Sequence, residues 1–278
     1  MSGLVARRQR GNTAARIVLA LVVSLIILFP LYWMVVVSVS SRADLLGGEL
    51  RLWPKAVTFE NFERVFTAFP VSTWFGNSLA IALTVSLITV GVNLAGGYAL
   101  AHLRFPGSTA LFFLALTTLM IPVQVIMVPL FQLVTSLNLY GTYWAVILPT
   151  AASAFGLFLA RQSMLAIPRD LIEAARIDGA GHFRVFMKIV LPLSKPLIAV
   201  MFFMALLGSW NDFAWPLIAL KQNELFTLPI GLLYLQGQFG SDYGGTMAFA
   251  LINVAPMVIL FLVFQRYFVQ GFARSGIR

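Results

Sequence analysis

Long apolar blocks alternate with short polar ones along the chain. Charge-free runs cover residues 17–37, 79–100, 105–160 and 246–264, and a fifth run, 197–217, is interrupted only by Asp212. A helix needs about 20 mostly apolar residues to cross a bilayer. Four of the runs therefore predict one span each, and 105–160 is long enough for two, with a turn near residues 137–141. Backbone polar groups must be satisfied inside lipid, and no alternating barrel pattern is present, so the spans are predicted to be helices. The expected architecture is all-α and integral to the membrane, with six transmembrane helices over residues 17–270, a tail at 1–16 and another at 271–278.

Pro30, Pro122, Pro129, Pro149 and Pro256 fall in or near these spans. Neighbouring helices can satisfy the carbonyls that proline frees. Simple kinks and a discontinuous, solute-binding helix are both compatible with this pattern. Gly91 and Ala95, one turn apart in the second span, suggest a close helix approach.

Composition strengthens the membrane reading. The 278 residues are 60% hydrophobic and 10% charged, with a mean hydropathy of +0.90, whereas soluble domains carry roughly 25% charged residues. The net charge of +9 would suit nucleic acid in a polar chain, but here it reads as loop charge. With the N-terminus placed inside, 14 of the 19 Lys and Arg residues fall on the inner side. That asymmetry predicts both termini in the cytoplasm. The apolar run after Arg7–Arg10 is too long for a signal peptide and reads as an uncleaved first span.

The chemistry that is absent narrows the function. There is no cysteine, and His102 and His182 are the only histidines, so neither a thiolate site nor a histidine metal cluster is predicted. No catalytic constellation is present. No G-x-x-x-x-G-K-[ST] loop occurs, so any ATPase must be another chain. Asp212 is the only ionisable Asp, Glu, Lys or Arg within a span, and ion-coupled carriers generally need such groups. Neutral amides, among them Gln124 and Asn211, suit either an uncharged, hydroxyl-rich solute or plain contacts between helices.

One long inner loop remains, residues 161–196. Pro168 is placed like a first-turn proline, Asp170 favours the helix dipole, and Gly179 is placed like a C-terminal glycine. Leu171, Ala174 and Ala175 form a small apolar strip. A second helix follows, with Phe183, Phe186, Met187 and Val190 at i, i+3, i+4 and i+7, and Leu191-Pro192 is expected to end it. Such a helix–glycine–helix knuckle, flanked by Glu173, fits a groove on a partner. It also fits a hairpin lying on lipid headgroups.

The spacing Glu173-Ala174-Ala175, Gly179, Ile189-x-Leu191-Pro192 resembles the EAA signature of ABC importer permeases. The runs Trp210–Leu217 and Gln265–Gly271, together with Asn77-Ser78, resemble the maltose-type carbohydrate permeases, and the resemblance covers nearly the whole chain from the first span onward. It implies a type I importer permease (MetI-like) fold in the bacterial plasma membrane. It also implies a second permease subunit, two ATP-binding subunits that hold ATP and Mg, and an extracytoplasmic solute-binding protein. The substrate class implied is a sugar or oligosaccharide. Glycerol phosphate, a polyol or an amino acid is the alternative, with an ion-coupled carrier or a non-transporting scaffold further away.

By this resemblance the ATPase-coupling residues are Glu173, Ala174, Ala175, Asp178, Gly179, Phe183, Phe186, Ile189, Leu191 and Pro192, with Gly179 making the turn. Asn211, Phe213, Trp215 and Gln124 are candidate solute-path residues. Asn223, Gln236, Gln238 and Tyr243 are candidates for meeting the binding protein. The tail Phe272–Arg278 departs from the Gly-Ala-Val-Lys-Gly-like family ending, which puts tail contact with the ATPases in doubt.

Overall fold

The computed structural model describes residues 2–47, 52–238 and 242–275, with side chains for 16–47, 52–237 and 242–265. The side chains of 266–275 and residues 276–278, which carry the divergent tail, lie outside the described residues, as does the Gln238 side chain.

Thirteen helices organise the argument. They are α1 (Ser2–Ser38), α2 (Glu60–Ala68), α3 (Val71–His102), α4 (Ser108–Met120), α5 (Val123–Ser136), α6 (Tyr143–Thr150), α7 (Ala154–Leu165), α8 (Arg169–Ile177), α9 (His182–Leu193), α10 (Lys195–Asn211), α11 (Ala214–Ala219), α12 (Leu228–Gln238) and α13 (Tyr243–Ser275). Three are unbroken and apolar enough to cross a membrane: α1 from Arg16, α3, and α13 as far as Gln265. Three more spans are bent pairs: α4 with α5 at 106°, α6 with α7 at 42°, and α9 with α10 at 80°. Read with each bent pair as one span, the protein has six.

The bends follow from local chemistry. Pro122 has no N–H and caps α5 in an extended conformation (ψ 134), so α4 cannot run on through it. The break between α6 and α7 ends at Ser153, whose hydroxyl accepts the Gly156 N–H at 3.2 Å and so caps α7. The fifth span stops at Asn211, and Asp212 begins the break before α11. Leu191-Pro192 does not end α9 as expected. The helix runs one residue further, to Leu193, and turns at Ser194, because the π-helical turn Phe186–Val190 ends just before it and leaves Pro192 in the first positions of a fresh α-helical turn, where no N–H partner is needed.

The chain divides into two compact units. The first comprises residues 1–69 and 234–254. In it Asn61, 1% exposed, donates from Nδ2 to the Ser38 and Ser40 carbonyls at 2.9 and 2.8 Å. Arg64 donates to Asn61 Oδ1 and pairs with Asp242 at 3.0 Å. Asp242 in turn caps α13 by accepting the Gly245 N–H at 3.1 Å. A Cβ on Gly244 would lie 2.5 Å from Asn61 Oδ1, so only glycine fits there. Asn61, Arg64 and Asp242 are polar residues without a motif, and nothing in the sequence alone marked them.

The second unit comprises residues 70–233 and 255–278, with α3 as its axis. Buried residues recur as the pairs Ile81/Ala82, Val85/Ser86, Thr89/Val90, Asn93/Leu94 and Gly97/Tyr98, a four-residue repeat that buries one broad face. A Cβ on Gly97 would stand 2.5 Å from that of Ala160, and one on Gly156 would strike the Asn93 amide at 2.2 Å. Glycine therefore sets the close approach of α3 and α7. The expected contact at Gly91 and Ala95 is not made: nothing lies within 4 Å of a Cβ on Gly91, and both residues are exposed. Two other long apolar helices differ from α3. The spanning parts of α1 and α13 are each only 17% buried, against 44% for α3, and their surplus apolar surface suits lipid.

Candidate functional site

The knuckle is built by backbone chemistry. Pro168 precedes α8, and Asp170 lies in its first turn. At the other end Gly179 adopts φ +83. The Ala180 N–H donates to the Ala175 carbonyl at 2.9 Å, and the Gly179 N–H donates to the Arg176 carbonyl at 3.1 Å. This crossed pair is a Schellman motif, which satisfies carbonyls that the helix end leaves free. Any other residue at 179 would be strained.

Outward from this turn the knuckle is bare. Glu173, Ala174 and Asp178 are exposed. Ile177 is 85% exposed and Phe183 77%. Ile177 was not among the expected site residues. The sequence signal that could have found it is its place one helical turn after Glu173 on the same exposed face.

Inward, the knuckle is fixed to the spans. Ile172, Val185 and Val190 share one buried cluster with Val90, Leu94 and Tyr98 of α3, Ala160 and Met164 of α7, and Met201 of α10. Ala175, Phe186, Ile189 and Leu191 pack on it, half-buried, while Pro192 is exposed. The Tyr98 hydroxyl donates to the His182 carbonyl at 3.2 Å, and its ring lies 5.1 Å from that of Phe186. His102 Nε2 is 3.1 Å from the Met164 carbonyl. The knuckle is thereby packed directly on α3, α7 and α10.

The expected apolar stripes divide between the two sides of the knuckle, with Phe186 and Val190 facing in as part of the cluster. In α8 the inward residues are Ile172 and Ala175, while Leu171 and Ala174 face out. In α9 they are Val185 and Val190, while Phe183 and Met187 are exposed. Residues Phe186–Val190 form a π-helical turn, which adds a residue to the turn and shifts the 3.6-residue repeat.

A second feature lies among the spans of this unit. A cavity of about 270 Å³ is lined by Thr89 and Asn93 of α3, Thr150 and Ser153 at the α6–α7 break, Met204, Gly208 and Ser209 of α10, and Asp212. Thr89 donates to the Thr150 carbonyl at 3.0 Å, and Asn93 Oδ1 lies 3.4 Å from the Ser153 N–H. Thr89 and Asn93, one turn apart, thus serve the backbone that the break exposes. Asn93 Nδ2 is buried without a partner.

The other expected residues are scattered. Trp215 is buried, and its indole N–H donates to the Ala145 carbonyl at 2.9 Å, so it packs α11 against α6. Asn211 is exposed and donates back to the Leu207 carbonyl. Phe213 and Gln124 are exposed, and none of these four lines the cavity. Asn77 and Ser78 tie down residues 223–228. Asn77 donates to the Glu224 and Phe226 carbonyls at 2.7 and 2.9 Å and accepts from the Tyr143 hydroxyl. Ser78 accepts the Leu228 N–H at 2.8 Å. Asn223 is exposed in this unit, as Gln236 and Tyr243 are in the other.

Comparison with known proteins bears on the family and the fold. The family described as binding-protein-dependent transport system inner membrane component matches residues 88–274. The arabinooligosaccharides transport system permease protein AraQ of Halalkalibacterium halodurans is 40% identical over 259 residues, covering 92% of this chain and 93% of its own. The sn-glycerol-3-phosphate transport system permease protein UgpE of Yersinia pestis is 34% identical over 259 residues, covering 90% and 92%. A bacterial ABC transporter that imports the acidic polysaccharide alginate contains a chain of the same fold, with TM-score 0.85, 24% identity, and coverage of 94% of this chain and 98% of that one. With a helix–glycine–helix knuckle packed on α3, α7 and α10, up to six apolar spans and a match over most of its length, the chain belongs to the binding-protein-dependent transport system inner membrane component family, and is a multi-pass permease subunit of an ABC importer.

Proposed function

We propose that this chain pairs with a second permease, that one of two ATPases docks on its knuckle, and that the solute is an uncharged sugar or oligosaccharide handed over by an extracytoplasmic binding protein. Both termini and the knuckle lie on the cytoplasmic side in this reading. The observation that carries it is the knuckle: an exposed Glu173, Ile177 and Phe183 around a Schellman turn, rooted in the cluster shared by α3, α7 and α10. A partner that closes on ATP and grips this knob pulls on those helices directly, and the bundle rocks between its two openings. ATP and Mg sit on the partner. This chain supplies the lever and one wall of the path.

The cavity supports an uncharged solute. Its polar lining consists of hydroxyls and an amide, and its single ionisable group is the Asp212 carboxylate. Such a wall suits sugar hydroxyls and repels a phosphate. That favours the substrate class named for the arabinooligosaccharide relatives over glycerol phosphate, which the 34% identical relatives carry. Within this reading Asp212, Ser209, Thr150 and Ser153 line the path, Phe213 and Asn211 flank it, and Asn223, Gln236 and Tyr243 meet the binding protein.

The test is uptake into proteoliposomes holding both permeases, both ATPases and the binding protein. ATP-driven accumulation of a labelled arabinooligosaccharide, with glycerol 3-phosphate excluded, is expected. Uptake that ignores ATP, or transport by this chain alone on an ion gradient, defeats the proposal.

A further inference from the structure

A second hollow, of about 560 Å³, lies between the end of α3, one side of α8 and the start of α9. Arg104, Arg169 and Arg176 line it with His102 and His182, and Glu173 is the only carboxylate in its wall. Three arginines face one acid, so the hollow is cationic whatever the state of the histidines. Among the described residues none of the three guanidinium groups takes part in an ion pair or hydrogen bond. Glu173 is the i+4 neighbour of Arg169 and the i−3 neighbour of Arg176, yet no N–O distance to either falls within 4.0 Å.

We infer that this hollow is a binding site for a phosphate ester. Concave walls of one sign focus the field and concentrate counter-ions. The planar guanidinium fork matches phosphate oxygens two at a time, a fit that an ammonium lacks. The remaining walls are apolar: Ala101, Leu103 and Ile172. His102 is the last residue of the apolar helix α3, so a bilayer surface meets the hollow at the end of a span. Cationic pockets at that depth take lipid headgroups. A phosphate that is part of an anionic phospholipid and a free phosphate share this chemistry. The site adjoins the docking face and shares Glu173 with it.

Placing the hollow at the cytoplasmic leaflet rests on the importer reading; phosphate affinity itself does not. The experiment uses the assembled complex, wild type and R104Q/R169Q/R176Q. In one arm it sits in nanodiscs of phosphatidylcholine with or without phosphatidylglycerol, and retained phosphatidylglycerol is counted by native mass spectrometry. In the other, inorganic phosphate is titrated onto the complex in detergent. At about fivefold per arginine near a membrane surface, the triple variant is expected to bind on the order of a hundredfold more weakly. Loss confined to the first arm identifies the headgroup as ligand, and loss in the second identifies free phosphate. Equal binding by wild type and variant in both arms overturns the inference, as does a docked ATPase whose acidic groups already hold the arginines. Should the triple variant fail to assemble, R104Q alone, which lies outside the docking helix, must lower binding about fivefold, and no change overturns the inference equally. Uptake measured after reconstituting the same complex into proteoliposomes separates the two readings: absent uptake with intact phosphate binding defeats the importer proposal and leaves this site standing.

Discussion

Two hollows of the second unit lie along the same helix. At the level of Thr89 and Asn93, α3 borders a cavity of about 270 Å³ whose polar groups are neutral apart from Asp212. Beyond its last turn it borders one of about 560 Å³ lined by three unpaired arginines. Low dielectric explains the difference. Within a span a charge is costly and functional when present, and hydroxyls and amides are the affordable polar groups. Past the span, water screens like charges and arginines can gather. One hollow therefore suits a neutral solute and the other an anion, and the knuckle lies beside the second.

The largest expected effect separates coupling from the cavity. Glu173→Lys combined with Gly179→Pro reverses a contact charge and forces φ near −65° where the turn holds +83. Losing one partner of a buried charged contact costs about 2–5 kcal/mol, so ATP-driven uptake should fall more than about tenfold, and the ATPases should no longer co-purify. Unchanged transport and assembly would defeat the docking assignment. Next, Gly208→Phe projects a ring into the cavity, since nothing lies within 4 Å of a Cβ there. Uptake should drop several-fold while the ATPases still co-purify, and full uptake would remove the cavity from the path.

A smaller effect concerns the segment of α3 between the hollows. Gly97→Ala pushes a methyl to 2.5 Å from Ala160 Cβ, and such overpacking costs about 1–3 kcal/mol. Thermal unfolding in detergent should show a lower midpoint, and an unaltered one would mean that α3 and α7 separate freely. The smallest effect is at the break. Thr89→Val removes the hydrogen bond to Thr150, and bonds of this kind in membranes average about 0.6 kcal/mol. A loss several times larger would show that Thr89 holds the bend rather than adjusts it.

What was readable beforehand tracks how local each feature is. The knuckle was legible because a positive-φ glycine and the helix ends around it are decided within a few residues. Which of its apolar residues face inward was not, because that is decided by how the knuckle packs on α3, α7 and α10. Trp215 looked like a solute-facing aromatic, and in the fold it is a packing anchor whose indole N–H is held by Ala145. Asn77-Ser78, noted only as a resemblance, hold residues 223–228 to α3.

From sequence alone came the number and helical nature of the spans, the asymmetry of basic residues, the glycine turn and the family, because each depends on hydropathy, charge or spacing along the chain. The tertiary structure alone decided where spans break, which glycines allow contact, and which polar residues meet. Those outcomes depend on distances between residues far apart in the chain, such as Gly97 with Ala160 or Arg104 with Arg176, and hydropathy along the chain does not encode such distances.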